Sequence, residues 1–116
     1  MKNTKYIAFV FVAIMLHSCN KPGKIEIQNN ISQVEISDVR WGDVSIAYSL
    51  LPGETSPKII INKYTEKLPA SKSITFKMKA NEMSVYLETK EKYLLKEDQD
   101  LVIILDDNTP VFNPMQ

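Results

Sequence analysis

Apolar and polar residues alternate along most of the chain after residue 24, and this period of two is typical of β-strands with one buried face. Alternating segments occupy residues 25–28, 34–37, 44–50, 74–79 and 85–88. Apolar residues do not recur at the i, i+3, i+4 and i+7 spacing of an amphipathic helix. The pattern therefore predicts an all-β domain.

Turn-forming residues separate the strand segments at intervals of roughly 8–12 residues. Asn29-Asn30 and Ala80-Asn81-Glu82 predict turns between strands. Leu51-Pro52-Gly53-Glu54 has proline and glycine at the two central positions of a type II turn. Seven or eight short antiparallel strands predict a small β-sandwich with Ig-like or related topology, and a small β-barrel is the alternative.

Two continuous apolar runs interrupt the alternation. Ile59-Ile60-Ile61 predicts a strand with little exposed face, and Leu101 to Leu105 predicts a central strand with both faces covered. The sandwich is expected to span residues 25–106. Two prolines favour an irregular tail over residues 107–116, because proline has no amide hydrogen to donate to a sheet.

One change of phase predicts a β-bulge. Val39 and Trp41 are apolar on the opposite parity from Val34 and Ile36. An extra residue near Ser37-Asp38 would return both apolar pairs to the same face of the strand. We therefore expect the second strand to be bulged at that point.

The first 18 residues have the layout of a secretory signal peptide. Lys2 and Lys5 precede an apolar run from Tyr6 to Leu16, which is shorter than the roughly 20 residues that a transmembrane helix needs. The run ends in Leu16-His17-Ser18-Cys19. This ending resembles the lipobox of bacterial membrane lipoproteins, with leucine three positions before the cysteine and a small residue immediately before it. The resemblance covers residues 1–19 only.

The lipoprotein resemblance implies cleavage before Cys19, lipid on the thiol of that cysteine and a membrane anchor, followed by a tether over residues 19–24. It also implies a location in the cell envelope. Asn20 favours the outer membrane, because aspartate at that position often retains such proteins at an inner membrane. Cys19 is the only cysteine of the chain, and lipidation would explain an unpaired cysteine in an exported protein.

Length and charge limit what the mature chain can be. Cleavage would leave 98 of the 116 residues, enough for one small domain. It would also remove Lys2 and Lys5, so that 12 basic side chains remain against 14 acidic ones. Nucleic-acid binding needs a pronounced basic footprint, and this balance argues against it.

The mature chain also lacks residues for most catalytic chemistry. The only histidine, His17, lies in the predicted signal peptide, and Cys19 is consumed by lipid. Histidine-based triads, cysteine nucleophiles and ordinary zinc sites are therefore excluded. For the close carboxylates Asp98, Asp100 and Asp106-Asp107, structural roles in turns are favoured over a catalytic pair or a calcium site. We expect a protein that is not an enzyme and holds no cofactor or metal.

The candidate binding residues are Arg40, Trp41 and Tyr48. Trp41 and the tyrosines could form an aromatic platform for sugar rings, but a core position is favoured for Trp41, because large aromatic residues carry much of the burial in a small sandwich. Arg40 is the only arginine. It could form a surface ion pair with Asp43 or Glu54, or it could contact a partner.

Two functions agree with these observations. The first is a noncatalytic protein-interaction or accessory module of the cell envelope, which binds a protein partner through a sheet edge or a loop. The alternative is a lipoprotein that binds a glycan or another small ligand through an aromatic patch. Exposure of both Trp41 and Tyr48 would be the distinguishing sign of the alternative.

Overall fold

The structure is a computed structural model that describes residues 21–80 and 82–115. These residues form ten strands, namely β1 (Gly23–Asn30), β2 (Ile36–Trp41), β3 (Val44–Leu50), β4 (Ile59–Ile61), β5 (Ala70–Lys72), β6 (Ile74–Ala80), β7 (Met83–Thr89), β8 (Tyr93–Leu95), β9 (Asp100–Asp106) and β10 (Val111–Phe112). The described residues contain no helix of the length and apolarity needed to cross a bilayer. The predicted signal peptide and Cys19 lie outside the described residues.

The strands form two facing sheets and a short two-stranded ribbon. One sheet has the order β4-β1-β9, the other has the order β10-β7-β6-β2-β3, and β5 pairs with β8. Residues from the inner faces of both sheets make one core, which includes Ile25, Ile27, Ile36, Trp41, Phe76, Ile103 and Leu105. The predicted all-β sandwich is confirmed.

The strand count and one pairing differ from the sequence prediction. The described residues form ten strands rather than seven or eight. β1 and β9 are parallel, whereas the pattern predicted antiparallel strands only. A parallel pair needs a long connection between its strands. Here most of the domain lies between β1 and β9, which makes the parallel pair possible.

The two continuous apolar runs are not covered on both faces as predicted. β9 is the edge strand of its sheet, and its side chains alternate between the core and the exterior. Ile60 in β4 also points outward and is 58 % exposed. The expectation was wrong because an apolar run does not show whether the fold supplies a second covering layer, and none covers this face among the described residues.

The predicted bulge in β2 is present. The register between β2 and β6 shifts between Ser37 and Arg40, and Asp38 has a positive φ of 49°. Val39 and Trp41 consequently reach the core together with Ile36. The pairing of β2 with β3 is irregular as well, because its register shifts between Val39 and Arg40.

The turn predicted at Asn29-Asn30 comes later in the chain, because β1 continues through both residues. The side chain of Asn29 is buried and hydrogen-bonded to three backbone groups. The predicted type II turn is present: Gly53 has φ 85°, and the Glu54 amide donates to the Leu51 carbonyl over 3.0 Å.

Both ends of the domain are more regular than predicted. β1 begins at Gly23 rather than at residue 25, so the predicted tether is shorter. The tail, which was expected to be irregular, contains β10, and Val111 and Phe112 pair with Thr89 and Glu88 of β7. Pro110 lies just before β10, where its carbonyl accepts a hydrogen bond of 3.0 Å from the Lys90 amide although the proline has no amide hydrogen to donate in return.

Candidate protein-interaction face

Trp41 lies in the core and is unavailable as a binding surface. Its relative exposure is 0 %, and its indole Nε1 donates a hydrogen bond of 3.0 Å to the Tyr93 carbonyl. The core position favoured for Trp41 is therefore confirmed. The same burial removes the largest ring from the aromatic platform considered for sugar binding.

Arg40 lies on the outer face of the five-stranded sheet and pairs with neither Asp43 nor Glu54. Its Nε donates a hydrogen bond of 3.0 Å to Oδ1 of Asp38, and this bond raises the pKa of Arg40 above its ordinary value. Lys77 contacts the same carboxylate at 4.0 Å. Asp38 lies at the bulge and has a positive φ. The sequence did not indicate its ion pair with Arg40.

Tyr48 is separated from Trp41 by the sheet. It is 90 % exposed, although it shares sequence parity with the buried residues Ile46 and Leu50. The pairs Ser37 with Ser49 and Val39 with Ala47 place Tyr48 opposite Asp38 at the bulge. Of the three candidate binding residues, Arg40 and Tyr48 are thus exposed around one bulge, and Trp41 faces the core.

The four aspartates considered for catalysis or calcium lie at opposite ends of β9. Six residue steps, or about 20 Å along a strand, separate Asp100 from Asp106. Asp107 accepts hydrogen bonds from the amide and hydroxyl of Ser32, and these bonds lower the pKa of Asp107. No group of three or more metal-ligating side chains occurs in residues 21–80 and 82–115.

An exposed apolar surface follows the outer side of β9. We call it the β9 face and define it as Asp100, Val102, Ile104 and Asp106. Val102 and Ile104 are 52 % and 49 % exposed, and the two aspartates flank them. The β9 face therefore offers an apolar centre between two exposed carboxylates. Asp100 lies 3.9 Å from Lys58, and Asp106 accepts hydrogen bonds from the Asn108 amide and the Thr109 hydroxyl.

The free edge of β9 adds a second means of binding. β9 pairs with β1 through seven consecutive residues without a register shift, and no strand of the described residues pairs with its other edge. An uninterrupted edge offers backbone donors and acceptors to an added strand. The edge strand β3 is less suited, because a register shift disturbs its pairing and bulges discourage edge association.

A shallow apolar groove adjoins the C-terminal end of β9. Its volume is about 190 Å³, and it is lined by Ile31, Phe76, Met78, Leu87, Leu105, Asp106, Asp107, Thr109 and Val111. Core side chains from both sheets thus reach this opening. An apolar side chain of a partner bound along β9 could enter the groove and gain hydrophobic contacts there.

The charges of the β9 face oppose pairing between two copies of this chain. Antiparallel pairing of two β9 strands about Ile103 would place Asp100 of one copy opposite Asp106 of the other. Like charges directly opposite on neighbouring strands are destabilising. A segment with basic residues flanking apolar ones would instead be complementary.

Sequence reasoning missed Val102 and Ile104, because a continuous apolar run was assigned to a fully covered strand. The available signal was the equal parity of these residues with Asp100 and Asp106, which must face solvent or a partner. Comparisons of the chain with protein-family models, curated proteins and solved structures found no match.

Proposed function

We propose that this protein is a lipoprotein of the outer membrane, whose sandwich binds a protein partner without catalysing a reaction. The lipobox-like ending at Cys19 supports the anchor. The β9 face supports the interaction, because an uninterrupted edge strand carries two half-exposed apolar side chains. This exposed edge is the observation that carries the proposal.

The partner segment is extended and pairs with the free edge of β9. Its backbone supplies the sheet hydrogen bonds, and alternate side chains supply specificity. Apolar residues at its centre contact Val102 and Ile104, and flanking lysines or arginines face Asp100 and Asp106. One further apolar residue occupies the groove beside Leu105.

The glycan-binding alternative has less support. Trp41 is buried, so its ring cannot stack on a sugar. Arg40 is engaged by Asp38, and Tyr48 remains as one exposed ring beside this ion pair. A single exposed tyrosine is common on protein surfaces and does not define a ligand site.

The anchor is tested by mass spectrometry of membrane fractions that contain the native protein or a Cys19→Ala variant. We expect acyl mass on Cys19 of the native protein, membrane association that resists high salt, and neither in the variant. A soluble native protein without acyl mass on Cys19 contradicts the anchor.

The partner site is tested by placing a photo-crosslinking amino acid at Ile104 in intact cells. The matched control carries it at Tyr48, which is also exposed but lies on the other sheet. We expect a discrete adduct from position 104 that is lost when Val102→Lys is added. Adducts of equal yield from both positions, or none from position 104, contradict binding at the β9 face.

A further inference from the structure

A cavity of about 380 Å³ lies where the described chain enters the fold. It is lined by Lys21, Ile61, Lys63, Tyr64, Glu66, Lys67, Leu68 and Glu97. The first strand pair begins here, since Gly23 of β1 pairs with Ile61 of β4. We call the group of Lys21, Lys63, Tyr64 and Lys67 the lysine end of the domain.

The lysine end is close to the proposed lipid anchor. The Pro22 carbonyl already accepts a hydrogen bond of 3.0 Å from the Asp98 amide, and the Lys24 amide donates to the Gln99 carbonyl over 2.8 Å. Only two residue steps separate Cys19 from Lys21, which limits their separation to about 7 Å. The polar layer on each side of a bilayer is only about 5–8 Å thick, so acyl chains on Cys19 place Lys21 at the lipid headgroups.

The lysine end has cationic groups available to bind anions. Among the described residues, no carboxylate oxygen lies within 4.0 Å of Nζ of Lys63 or Lys67, whereas Lys21 is 3.8 Å from Asp98. Two glutamates also line the cavity, and one of them, Glu66, is 3.6 Å from Lys72 outside it. Glu97 is the second glutamate of the lining, and Asp100 also lies at this end, 3.9 Å from Lys58.

Tyr64 adds a group suited to the bilayer interface. Its side chain is 86 % exposed, and Nζ of Lys63 lies 5.1 Å from the ring centroid. Tyrosine is enriched at membrane interfaces, where its ring contacts apolar groups while its hydroxyl stays hydrated. An exposed tyrosine between two lysines is therefore consistent with contact between this end and lipid.

We propose that the lysine end is a membrane-contact surface at which Lys63 and Lys67 bind the phosphate groups of anionic phospholipids. The proposal rests on the lipid anchor at Cys19, because that anchor brings this end to the bilayer. β1 and β9 both begin at this end and run parallel. Docking would thus make β9 run away from the membrane, so that Val102 and Ile104 face the space beside the bilayer.

The test uses acylated protein purified from membranes and placed in vesicles of phosphatidylcholine, with or without phosphatidylglycerol. Tyr64→Trp introduces a fluorescent reporter, and Tyr48→Trp is the matched control at an equally exposed tyrosine. The native Trp41 is buried and gives a constant background. We expect phosphatidylglycerol to shift the emission at position 64 to shorter wavelength and to reduce its quenching by acrylamide, with no change at position 48.

The lysines are tested in the Tyr64→Trp protein. Each of Lys63→Gln and Lys67→Gln is expected to lower the ratio of docked to undocked protein about fivefold, since a lysine near an anionic surface contributes about that factor. Lys79→Gln, an exposed lysine in β6, is the control and should leave the ratio unchanged.

The outcomes separate the docking proposal from the anchor. Equal quenching at positions 64 and 48, in protein with acyl mass on Cys19, overturns docking and leaves the anchor in place. Protection at position 64 that does not depend on phosphatidylglycerol or on the two lysines overturns phosphate binding. Absence of acyl mass on Cys19 overturns the anchor and the docking proposal together.

Discussion

At the scale of single residues, Asn29 shows how a polar side chain can connect strands from inside the core. Its Nδ2 donates to the carbonyls of Val34 and Leu50 over 2.8 and 2.9 Å, and its Oδ1 accepts from the Ile31 amide. Asn29 thus supplies hydrogen-bond partners to backbone groups near the ends of β1 and β3. Buried backbone groups without such partners would be costly.

Replacement of this residue tests its role. We expect Asn29→Leu to lower the free energy of unfolding by about 3 kcal/mol or more, because three buried or partly buried backbone groups lose their partner. Asn30→Leu changes the exposed neighbour and should alter stability by less than about 0.5 kcal/mol. Urea denaturation followed by circular dichroism measures both, and equal effects would contradict a specific role for Asn29.

Asp107 gives a pH-dependent contact between two turns. Hydrogen bonds from Ser32 lower the pKa of Asp107, so the ionised carboxylate stabilises the folded state. This contribution is present above the ordinary aspartate pKa of about 4 and is lost as pH falls through the lower folded value. Other ion pairs and exposed carboxylates also make the stability of the protein depend on pH. The contribution of Asp107 is therefore measured as the difference in stability between the native protein and a variant.

We expect Asp107→Asn to be less stable than the native protein at pH 7, and the difference to shrink as pH falls below about 4. The physical reason is that a protonated aspartate and an asparagine are both neutral. Denaturation curves at pH 7, 3 and 2 measure this difference, with Asp43→Asn in an exposed turn as the control. A difference that stays constant with pH would contradict the effect of ionisation.

At the scale of elements, β9 combines two environments on one strand. Ile103 and Leu105 are 2 % and 0 % exposed, whereas the outward pair Val102 and Ile104 is half exposed. The position of β9 at the sheet edge causes this asymmetry, because no layer covers its outer side among the described residues. Buried and exposed apolar side chains therefore alternate along the same seven residues.

Alanine substitutions at adjacent positions test this asymmetry. Ile103→Ala is expected to cost about 2–5 kcal/mol of stability, because it leaves a cavity in the core. Ile104→Ala removes the same atoms from an exposed side chain and should cost less than about 1 kcal/mol. Thermal and urea unfolding measure both; similar costs would mean that β9 is covered on both faces.

At the scale of the whole molecule, the two ends of the sandwich have different surroundings under the proposed anchor. The lysine end meets the bilayer, while β1 and β9 run in parallel away from it. The β9 face then projects into the space beside the membrane with its free edge unpaired. Its terminal aspartates would oppose pairing of that edge with a second copy, and under the proposed function the edge binds another protein.

Reversal of one terminal charge should remove this protection. Asp100→Lys would place a lysine opposite Asp106 of a second copy at both ends of an antiparallel β9 pair. We expect the native protein to be a monomer in sedimentation velocity of detergent-solubilised samples, and the variant to form dimers as concentration rises. Asp43→Lys introduces the same charge change away from β9 and should remain monomeric. A monomeric Asp100→Lys protein would contradict an accessible edge.

Features of the fold that depend on neighbouring residues could be predicted from the sequence. Alternation predicted the all-β class, Pro52-Gly53 predicted a type II turn, and the change of parity around Ser37-Asp38 predicted a bulge. Each of these depends on local backbone conformation or on the period of two along a strand. The lipobox-like motif at Cys19 is also local, and lipidation there stays a prediction.

The position of each strand in its sheet and the burial of polar residues depend instead on contacts between distant segments. Lys24 pairs with Asp100 at the far end of the chain, and this pairing places β9 beside β1 with its other edge free. Trp41 faces the core and Tyr48 the exterior, and the register of β2 is shifted against both of its neighbours, β6 and β3. Such outcomes depend on contacts between distant segments, and a pattern of neighbouring residues does not contain them.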